Sequence, residues 1–236
     1  MARVVRKYGI FTEEFFEVNG IKEGVDISYY CGVITAFCNF INGENNGQSV
    51  CFYNDGKLRD ICNFKNNERY GCEKEYDEET GNLKYQYYWE SNSSKEIEYY
   101  DNGSIKHIYN YNKYHNWIGE QIYFYENGNI LCKCNYKVIN DSYRPSLDGE
   151  FIDYYENGKI KFKYDYVNGN KHGECIEYNR EGEIISKRYY EDNELISHPT
   201  YYYNLYNNLY NTIVSALSPL FNIFKNTNTT NPNNPK

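Results

Sequence analysis

The sequence predicts an all-β protein, an elongated single-layer antiparallel sheet of stacked β-hairpins. Two observations predict this fold class. A glycine recurs about every 24 residues, followed at fixed offsets by an aliphatic and then an aromatic residue. Aromatic residues make up 19% of the chain, and they favour the pleated surface of a strand. Because one hairpin alone is marginal in water, the copies must stabilise one another.

Residues 149–172 show the repeating unit most clearly. The pattern predicts strands over 151–155 and 160–167, joined by a tight turn at Asn157-Gly158, and Asn168-Gly169 begins the return. Asn-Gly between aromatic and β-branched runs indicates a type I′ turn, in which both central residues need positive φ.

The repeat is defined by seven turn glycines: Gly32, Gly56, Gly81, Gly103, Gly128, Gly158 and Gly182. Two residues after each glycine stands an aliphatic residue: Ile34, Leu58, Leu83, Ile105, Ile130, Ile160 and Ile184. Eight after each stands an aromatic one: Phe40, Phe64, Trp89, Tyr111, Tyr136, Tyr166 and Tyr190. Offset six holds Cys38, Cys62, Tyr87, Tyr109, Cys134, Tyr164 and Arg188. Since offsets two, six and eight share parity, we predict that these columns lie on one face.

Offset three forms a basic column that contains Arg59, Lys84, Lys106 and Lys161. Lys133, Lys163 and Lys187 follow two residues further along what parity makes the same face. Two interpretations stay open. The column is either a solvated face with cross-strand ion pairs, or a binding stripe for an acidic partner or for lipid headgroups.

These residues carry a family resemblance. The pattern G-E-x-I-x-Y-Y-x-N-G-x-I-x-x-x-x-x-Y is complete in residues 149–166, and it recurs with small departures in 119–136 and 173–190. It resembles the MORN repeat, and within that family the hairpin variant of bacterial proteins labelled YwqK-type antitoxins. The resemblance covers residues 24–196. It implies an interaction or scaffolding module, in some members associated with membranes. This chain has Tyr or Phe where the family usually has Trp.

The chain divides into four predicted parts: an eroded N-terminal repeat over 1–23, seven repeats over 24–196, an amphipathic helix over 197–225 and a disordered tail over 226–236. The helix is indicated by apolar residues at three- and four-residue steps from Leu205 to Phe224. It is predicted to cap the last repeat, with a membrane-surface helix and a transmembrane span as alternatives.

Charge and cysteine content restrict the partners and the compartment. The net charge of −8 argues against nucleic acid as a partner. No secretory signal is visible, so the eight cysteines are expected in a reducing, cytoplasmic compartment, with peripheral membrane contact left open. Buried free thiols are the expected state, and a disulfide ladder or a zinc site are the alternatives.

Candidate catalytic groups do not converge in the sequence. Glu120, Glu150 and Glu174 recur once per hairpin, whereas an active site joins unlike groups at one place. The four histidines share no column and are expected at the surface or in turns. We therefore expect neither an enzyme nor a bound cofactor or metal. The predicted function is a non-catalytic scaffold for a protein partner, and the alternative is a toxin-neutralising protein. Partner identity and oligomeric state are left open.

Overall fold

The computed structural model describes residues 1–138, 144–196, 209–213 and 215, and in them the predicted all-β, single-sheet architecture is confirmed. The long strands are β1 (Ala2–Tyr8), β2 (Phe11–Val18), β4 (Gly24–Tyr30), β5 (Val33–Ile41), β7 (Gly47–Phe52), β8 (Leu58–Lys65), β10 (Gly71–Tyr76), β11 (Leu83–Trp89), β12 (Ser93–Tyr99), β13 (Ile105–Asn112), β14 (Gly119–Phe124), β15 (Ile130–Val138), β16 (Pro145–Tyr154), β17 (Ile160–Val167), β19 (Gly173–Tyr178) and β20 (Ile184–Glu191). Short return strands are β3 (Ile21–Lys22), β6 (Glu44–Asn45), β9 (Glu68–Arg69), β18 (Asn170–Lys171) and β21 (Glu194–Ile196).

The sheet is a meander in which each long strand pairs antiparallel with the next along the chain. Residues 1–23 add one more hairpin, because β1 pairs with β2 and β2 pairs with β4. No second layer of structure covers either face within the described residues. Both faces of the array are therefore surfaces.

The turn at five of the repeat glycines, Gly56, Gly103, Gly128, Gly158 and Gly182, differs from the predicted type I′ turn, whereas Cys31-Gly32 has the type I′ geometry, with φ values of 49° and 82°. Gly158 N–H donates to the Tyr155 carbonyl at 2.8 Å, and Tyr155 N–H donates to the Lys159 carbonyl at 2.8 Å. Gly158 has a φ of 82° but Asn157 has no positive φ, so this is a type I turn closed by a glycine bulge. The type I′ geometry also occurs at return turns such as Asn168-Gly169, with φ values of 51° and 86°.

A β-bulge follows the turn in all seven hairpins. In the hairpin of Gly158, Phe162 pairs with Asp153 and Ile160 pairs with Tyr154, so Lys161 is the extra residue. The other six hairpins skip the same position, three after the turn glycine. The basic column of the sequence is thus the bulge column of the structure.

The bulge corrects the predicted faces. Offsets six and eight share one face, but the aliphatic residue at offset two pairs with the aromatic residue near the end of the first strand, as Ile160 does with Tyr154. Because cross-strand partners lie on the same side of a sheet, the bulge moves the aliphatic column to the opposite face. The single-face prediction was wrong for this column, since it assumed an unbroken period of two. We call the face of offsets four, six and eight the inner face, and the other the outer face.

Glycine lies opposite the aromatic column at offset eight. Tyr166 pairs with Gly149 and Trp89 pairs with Gly71, and every other hairpin repeats this pairing except that Ser94 faces Tyr111. An aromatic ring opposite a glycine covers backbone that has no side chain of its own. The first glycine of the G-E-x-I pattern is explained by this pairing.

A tyrosine ladder connects consecutive repeats. The hydroxyl three residues before the turn glycine donates to a backbone carbonyl of the next repeat: Tyr53 to Tyr76 at 2.7 Å, and Tyr100 to Phe124, Tyr125 to Tyr154 and Tyr155 to Tyr178 at 2.8 Å each. These bonds join residues from different hairpins at the turn edge of the sheet, where the strands have ended. They explain the second tyrosine of the Y-Y-x-N-G pattern.

The turn asparagine bonds in two directions. The Asn157 side-chain oxygen accepts from the Lys159 N–H within its own turn at 3.1 Å, and its amide donates to the Arg180 carbonyl of the next turn at 3.1 Å. Asn102 and Asn127 make the same pair of bonds. Asparagine is thus required here for its amide group and not for a positive φ.

Seven of the residues that are less than 9% exposed form one row along the inner face, at offset six and its cross-strand partners, while Ile97 and Tyr189 are buried on the outer face. This middle row contains Asp26, Ser49, Cys62, Glu73, Gln121, Cys134 and Cys175, all less than 9% exposed. No second layer covers this row within the described residues, so its burial comes from neighbouring side chains on the same face. The cysteines fit the row as small apolar side chains.

The aliphatic column is half-buried, apart from the 51% exposed Ile184 of the last repeat. The predicted helix is described only at 209–213 and 215. Leu209, Tyr210 and Ile213 are 60%, 56% and 48% exposed, and the predicted cap stays a prediction. The predicted tail over 226–236 and the rest of 197–225 lie outside the described residues.

We predict that Tyr125→Phe destabilises the array by about 1 kcal/mol, because it removes one hydroxyl from the tyrosine ladder and leaves the Tyr154 carbonyl without that donor. Urea unfolding measures this change. Tyr114→Phe is the matched control, since Tyr114 is 63% exposed, and it is expected to leave the unfolding midpoint unchanged. Equal effects of the two variants would contradict a role for the ladder.

Candidate functional site

Each residue of the predicted binding stripe has an acidic partner nearby. Arg59 lies 2.8 Å from Asp60, Lys84 3.7 Å from Asp77, Lys106 2.8 Å from Glu98 and Lys161 3.4 Å from Asp153. The four cationic side chains are between 36% and 48% exposed. This arrangement agrees with the interpretation as a face with ion pairs, and the binding stripe stays a prediction.

The glutamate column forms a ladder with lysines on the outer face. Lys163 pairs with Glu150, Lys187 lies 3.0 Å from Glu174, and Lys133 lies 3.8 Å from Glu120. These pairs are the cross-strand contacts expected for a structural column. Lys133, Lys163 and Lys187 are therefore distinct from the basic column at the bulge, because the residues of that column pair with other acidic side chains.

The inner face of the third to fifth repeats carries a continuous surface of aromatic rings. Tyr85, Tyr87 and Trp89 stack in order along β11, with centroids 6.0 and 5.8 Å apart. Tyr109 stacks on Trp117 at 5.8 Å and meets Tyr123 edge-on at 5.8 Å. All of these rings are half-buried. We call this surface the aromatic patch.

Glu96 lies at the centre of the aromatic patch. It is the cross-strand partner of Tyr87 on one side and of Tyr109 on the other. Its only hydrogen-bond partner among the described residues is the Tyr111 hydroxyl at 3.4 Å, and no cation lies within 4 Å. Burial raises the pKa of the Glu96 carboxyl, and this outweighs the lowering by the Tyr111 hydroxyl. The patch therefore has an anionic centre without a counter-ion.

Glu98, in contrast, is compensated. Lys106 Nζ donates to one of its oxygens at 2.8 Å and His107 Nδ1 lies 2.9 Å from the other. Burial alone would raise the pKa of Glu98, but these two hydrogen bonds lower it. His107 itself is half-buried on the inner face of β13. His107 lies on a strand and not in a turn, and its side chain is 21% exposed on the inner face, one of the two surfaces of the sheet.

Trp89 is the only tryptophan of the aliphatic and aromatic columns, and it is fixed by a buried acid. Its Nε1 donates to Glu73 Oε2 at 2.7 Å, and Arg69 lies 3.6 Å from the other oxygen. Burial raises the pKa of Glu73, and the bonds from Trp89 and Arg69 oppose this. The indole is thereby held in one orientation at the edge of the patch.

The cysteines are all free thiols. Cys62, Cys134 and Cys175 are buried in the middle row, and Cys31 is exposed in a turn. Burial raises the pKa of the Cys62 and Cys134 thiols to about 11. A protonated, buried thiol is a poor nucleophile.

Sequence reasoning missed Glu73, Glu96 and the tyrosine three residues before the turn glycine. The tyrosine had a visible signal, because it recurs at Tyr53, Tyr100, Tyr125 and Tyr155. Glu73 and Glu96 had none, since glutamate in an alternating strand normally points to solvent. Their inward orientation follows from the register.

Five segments of the chain match the family model for a MORN repeat variant: residues 45–66, 94–113, 118–137, 147–168 and 171–197. The chain belongs to the MORN-repeat family. The MORN hairpins around Gly32 and Gly81 lie outside these segments, yet they share the bulge and the register of the others. No curated protein gives a significant match, and the narrower resemblance to YwqK-type antitoxins stays an expectation.

MORN repeats are compatible with contacts to proteins or to membranes. In the part of the chain that the structure describes, no helix has the length and apolar character needed to cross a bilayer.

We predict that Glu96→Gln stabilises this MORN array at pH 7 but changes little at pH 4. A carboxyl whose pKa is raised by folding contributes most favourably below its unfolded pKa of about 4.3, and this contribution is lost as the pH rises through the folded value. Thermal unfolding at the two pH values measures the difference. Glu156→Gln, in an exposed turn, is expected to show no such pH dependence.

We also predict that a thiol reagent modifies Cys31 at once but reaches Cys62, Cys134 and Cys175 only after denaturation. The reason is that Cys31 is exposed and the other three are buried. Mass spectrometry of the native and denatured chain identifies the modified sites. Rapid labelling of Cys134 in the native chain would contradict the burial of the middle row.

Proposed function

We propose that this MORN-repeat protein is a non-catalytic scaffold that binds a cationic segment of another protein along its inner face. The observation that carries the proposal is the aromatic patch around Glu96. A single-layer sheet has no core to fill with such rings, yet the third to fifth repeats place stacked tyrosines and tryptophans there, half-exposed.

The chemistry of the patch favours lysine or arginine in the partner. Glu96 has no cation within 4 Å among the described residues and lies between Tyr87 and Tyr109. An aromatic face attracts a cation, and a carboxylate without a counter-ion adds to this attraction. A cation–π contact of this kind occurs elsewhere in the chain, where Lys171 Nζ lies 4.5 Å from the Tyr164 ring centroid.

The rigidity of tyrosine and tryptophan suits a binding surface. Their rings provide a large contact area and lose little conformational entropy when a partner binds. An extended partner segment fits a surface of this kind, because the rings follow strands that run side by side across three repeats. This supports a macromolecular partner over a small ligand.

The proposal that the protein is not an enzyme is supported by how its polar groups are paired. Glu98 and His107 are held together by Lys106 and Tyr109, and Glu73 is held by Trp89. These bonds orient the groups toward one another. The buried thiols have raised pKa values, which disfavours nucleophilic use.

Fluorescence anisotropy with a labelled peptide of about ten residues, alternating Lys and Ser, tests the proposal. We expect binding that weakens with added salt and by about fivefold in Glu96→Gln and in Tyr109→Ala, from the loss of roughly 1 kcal/mol of charge or cation–π attraction. A peptide that alternates Glu and Ser is expected not to bind.

Glu156→Gln is the matched control, since it removes the same charge from an exposed turn. An equal loss in this variant would show a general effect of net charge and would contradict the assignment to the patch. Binding to anionic vesicles, abolished by charge reversal of Lys84, Lys106 and Lys161, would instead favour the binding stripe on the basic column.

A further inference from the structure

A second cluster of chemically distinct groups lies on the inner face beside the aromatic patch. Asp60 and Cys62 from β8 and Glu73 from β10 place one ligand atom each within 4.8 Å of one another. Cys62 is 2% exposed and Glu73 is 5% exposed. The two strands are neighbours in the sheet, so the cluster joins the second repeat to the third.

The Cys62 thiol is the unusual member of the cluster. Two half-buried thiols have polar partners, since Cys38 Sγ lies 3.2 Å from the Ser49 hydroxyl and Cys72 Sγ accepts from the Gln86 amide at 3.1 Å. The buried Cys134 and Cys175 have no hydrogen-bond partner among the described residues, but neither belongs to a cluster with two carboxylates. Cys62 has no hydrogen-bond partner among the described residues, although it is nearly fully buried and lies beside two carboxylates. Its sulfur lies within 4.8 Å of a carboxylate oxygen of both Asp60 and Glu73.

The carboxylates are already oriented by outer hydrogen bonds. Arg59 Nε donates to the Oδ2 oxygen of Asp60 at 2.8 Å. Trp89 Nε1 donates to the Oε2 oxygen of Glu73 at 2.7 Å, and Arg69 lies 3.6 Å from the Oε1 oxygen. Metal-binding carboxylates in proteins are commonly fixed by such bonds, which position the ligand and limit its motion.

A cavity of about 360 Å³ opens beside the cluster, and it is bordered by Arg59, Arg69, Glu75, Tyr87 and Trp89 together with both carboxylates. Three carboxylates and two guanidinium groups leave one negative charge in excess around this cavity. A divalent cation bound to a Cys62 thiolate would bring the net formal charge around the cavity to zero. Neutral local charge is what a buried cluster favours.

We propose that Asp60, Cys62 and Glu73 form a binding site for a divalent transition-metal ion, with zinc as the ion that suits the donor set best. Zinc accepts a thiolate together with carboxylate oxygens, in tetrahedral coordination at about 2.0–2.3 Å. Three protein ligands would leave a fourth coordination position for a water molecule. Hard cations such as Mg²⁺ prefer oxygen ligands alone and fit this site less well.

The ion would link two repeats that are otherwise joined by the sheet and by the tyrosine ladder. Metal binding and folding would then be coupled, because ligands from β8 and β10 come together only when these repeats have stacked. The site lies in the interior of the array, where loss of one contact between repeats affects both halves.

Titration of the full chain with Co²⁺ tests the site, since a cobalt–thiolate bond gives a near-ultraviolet charge-transfer band that carboxylates alone do not give. We expect one Co²⁺ per chain with this band, its displacement by Zn²⁺, and a higher unfolding temperature with Zn²⁺. Cys62→Ser is expected to remove the band, and Asp60→Asn to weaken Co²⁺ binding at least tenfold.

Cys134→Ser is the matched control. Cys134 occupies the same column and is 3% exposed, but its cross-strand partners are Gln121 and Phe151 instead of acids. The band must persist in this variant. If the wild-type chain shows no band at Co²⁺ excess, or if Cys134→Ser loses it while Cys62→Ser keeps it, the site is wrong. Asp60→Asn keeps the test valid if Cys62→Ser fails to fold, because Asp60 is half-buried.

Discussion

The architecture depends on the hydrogen bonds that each hairpin makes to the next at the turn edge. A single-layer sheet has no opposing layer to hold its strands in place, so each hairpin depends on its two neighbours. The backbone hydrogen bonds between paired strands hold neighbouring hairpins together along the strands, and these bonds end before the turns. There the tyrosine hydroxyls and asparagine amides take over, each bonding a backbone carbonyl one repeat away, as Tyr125 does to Tyr154 and Asn127 does to Glu156. A turn that made only internal bonds would leave these carbonyls unpaired.

The bulge after each turn determines what the two faces present. By inserting one residue, it shifts the register so that the aliphatic column faces outward while the columns at offsets six and eight remain inside. The inner face thereby receives aromatic rings, small thiols and a few carboxylates instead of a uniform apolar surface. This mixture suits recognition of a cation more than packing of a core, because rings and carboxylates both attract positive charge. The aromatic patch and the proposed metal cluster both arise from this register.

The repeat, the hairpins, the positions of the turn glycines and the single antiparallel sheet could all be predicted from periodicity. The bulge could not, since a column of Arg59, Lys84, Lys106 and Lys161 looks the same whether it is an extra residue or a regular strand position. The turn type was also beyond the sequence. Asn-Gly fits both a type I′ turn and a type I turn with a glycine bulge. The two are distinguished only by which backbone hydrogen bonds close the loop. The face taken by His107 and Glu96 was also beyond the sequence, because one residue of register decides which face a side chain takes.

What the sequence alone determined is local and periodic: the unit, its length, its strand propensity and its turn residues, because each depends on neighbours within about ten residues of the chain. What only the tertiary structure decided is which side chains meet across strands. Asp60, Cys62 and Glu73 come from two hairpins, and Glu96 lies between Tyr87 and Tyr109 from the strands on either side. Such encounters depend on register summed over several repeats, and no single repeat encodes them.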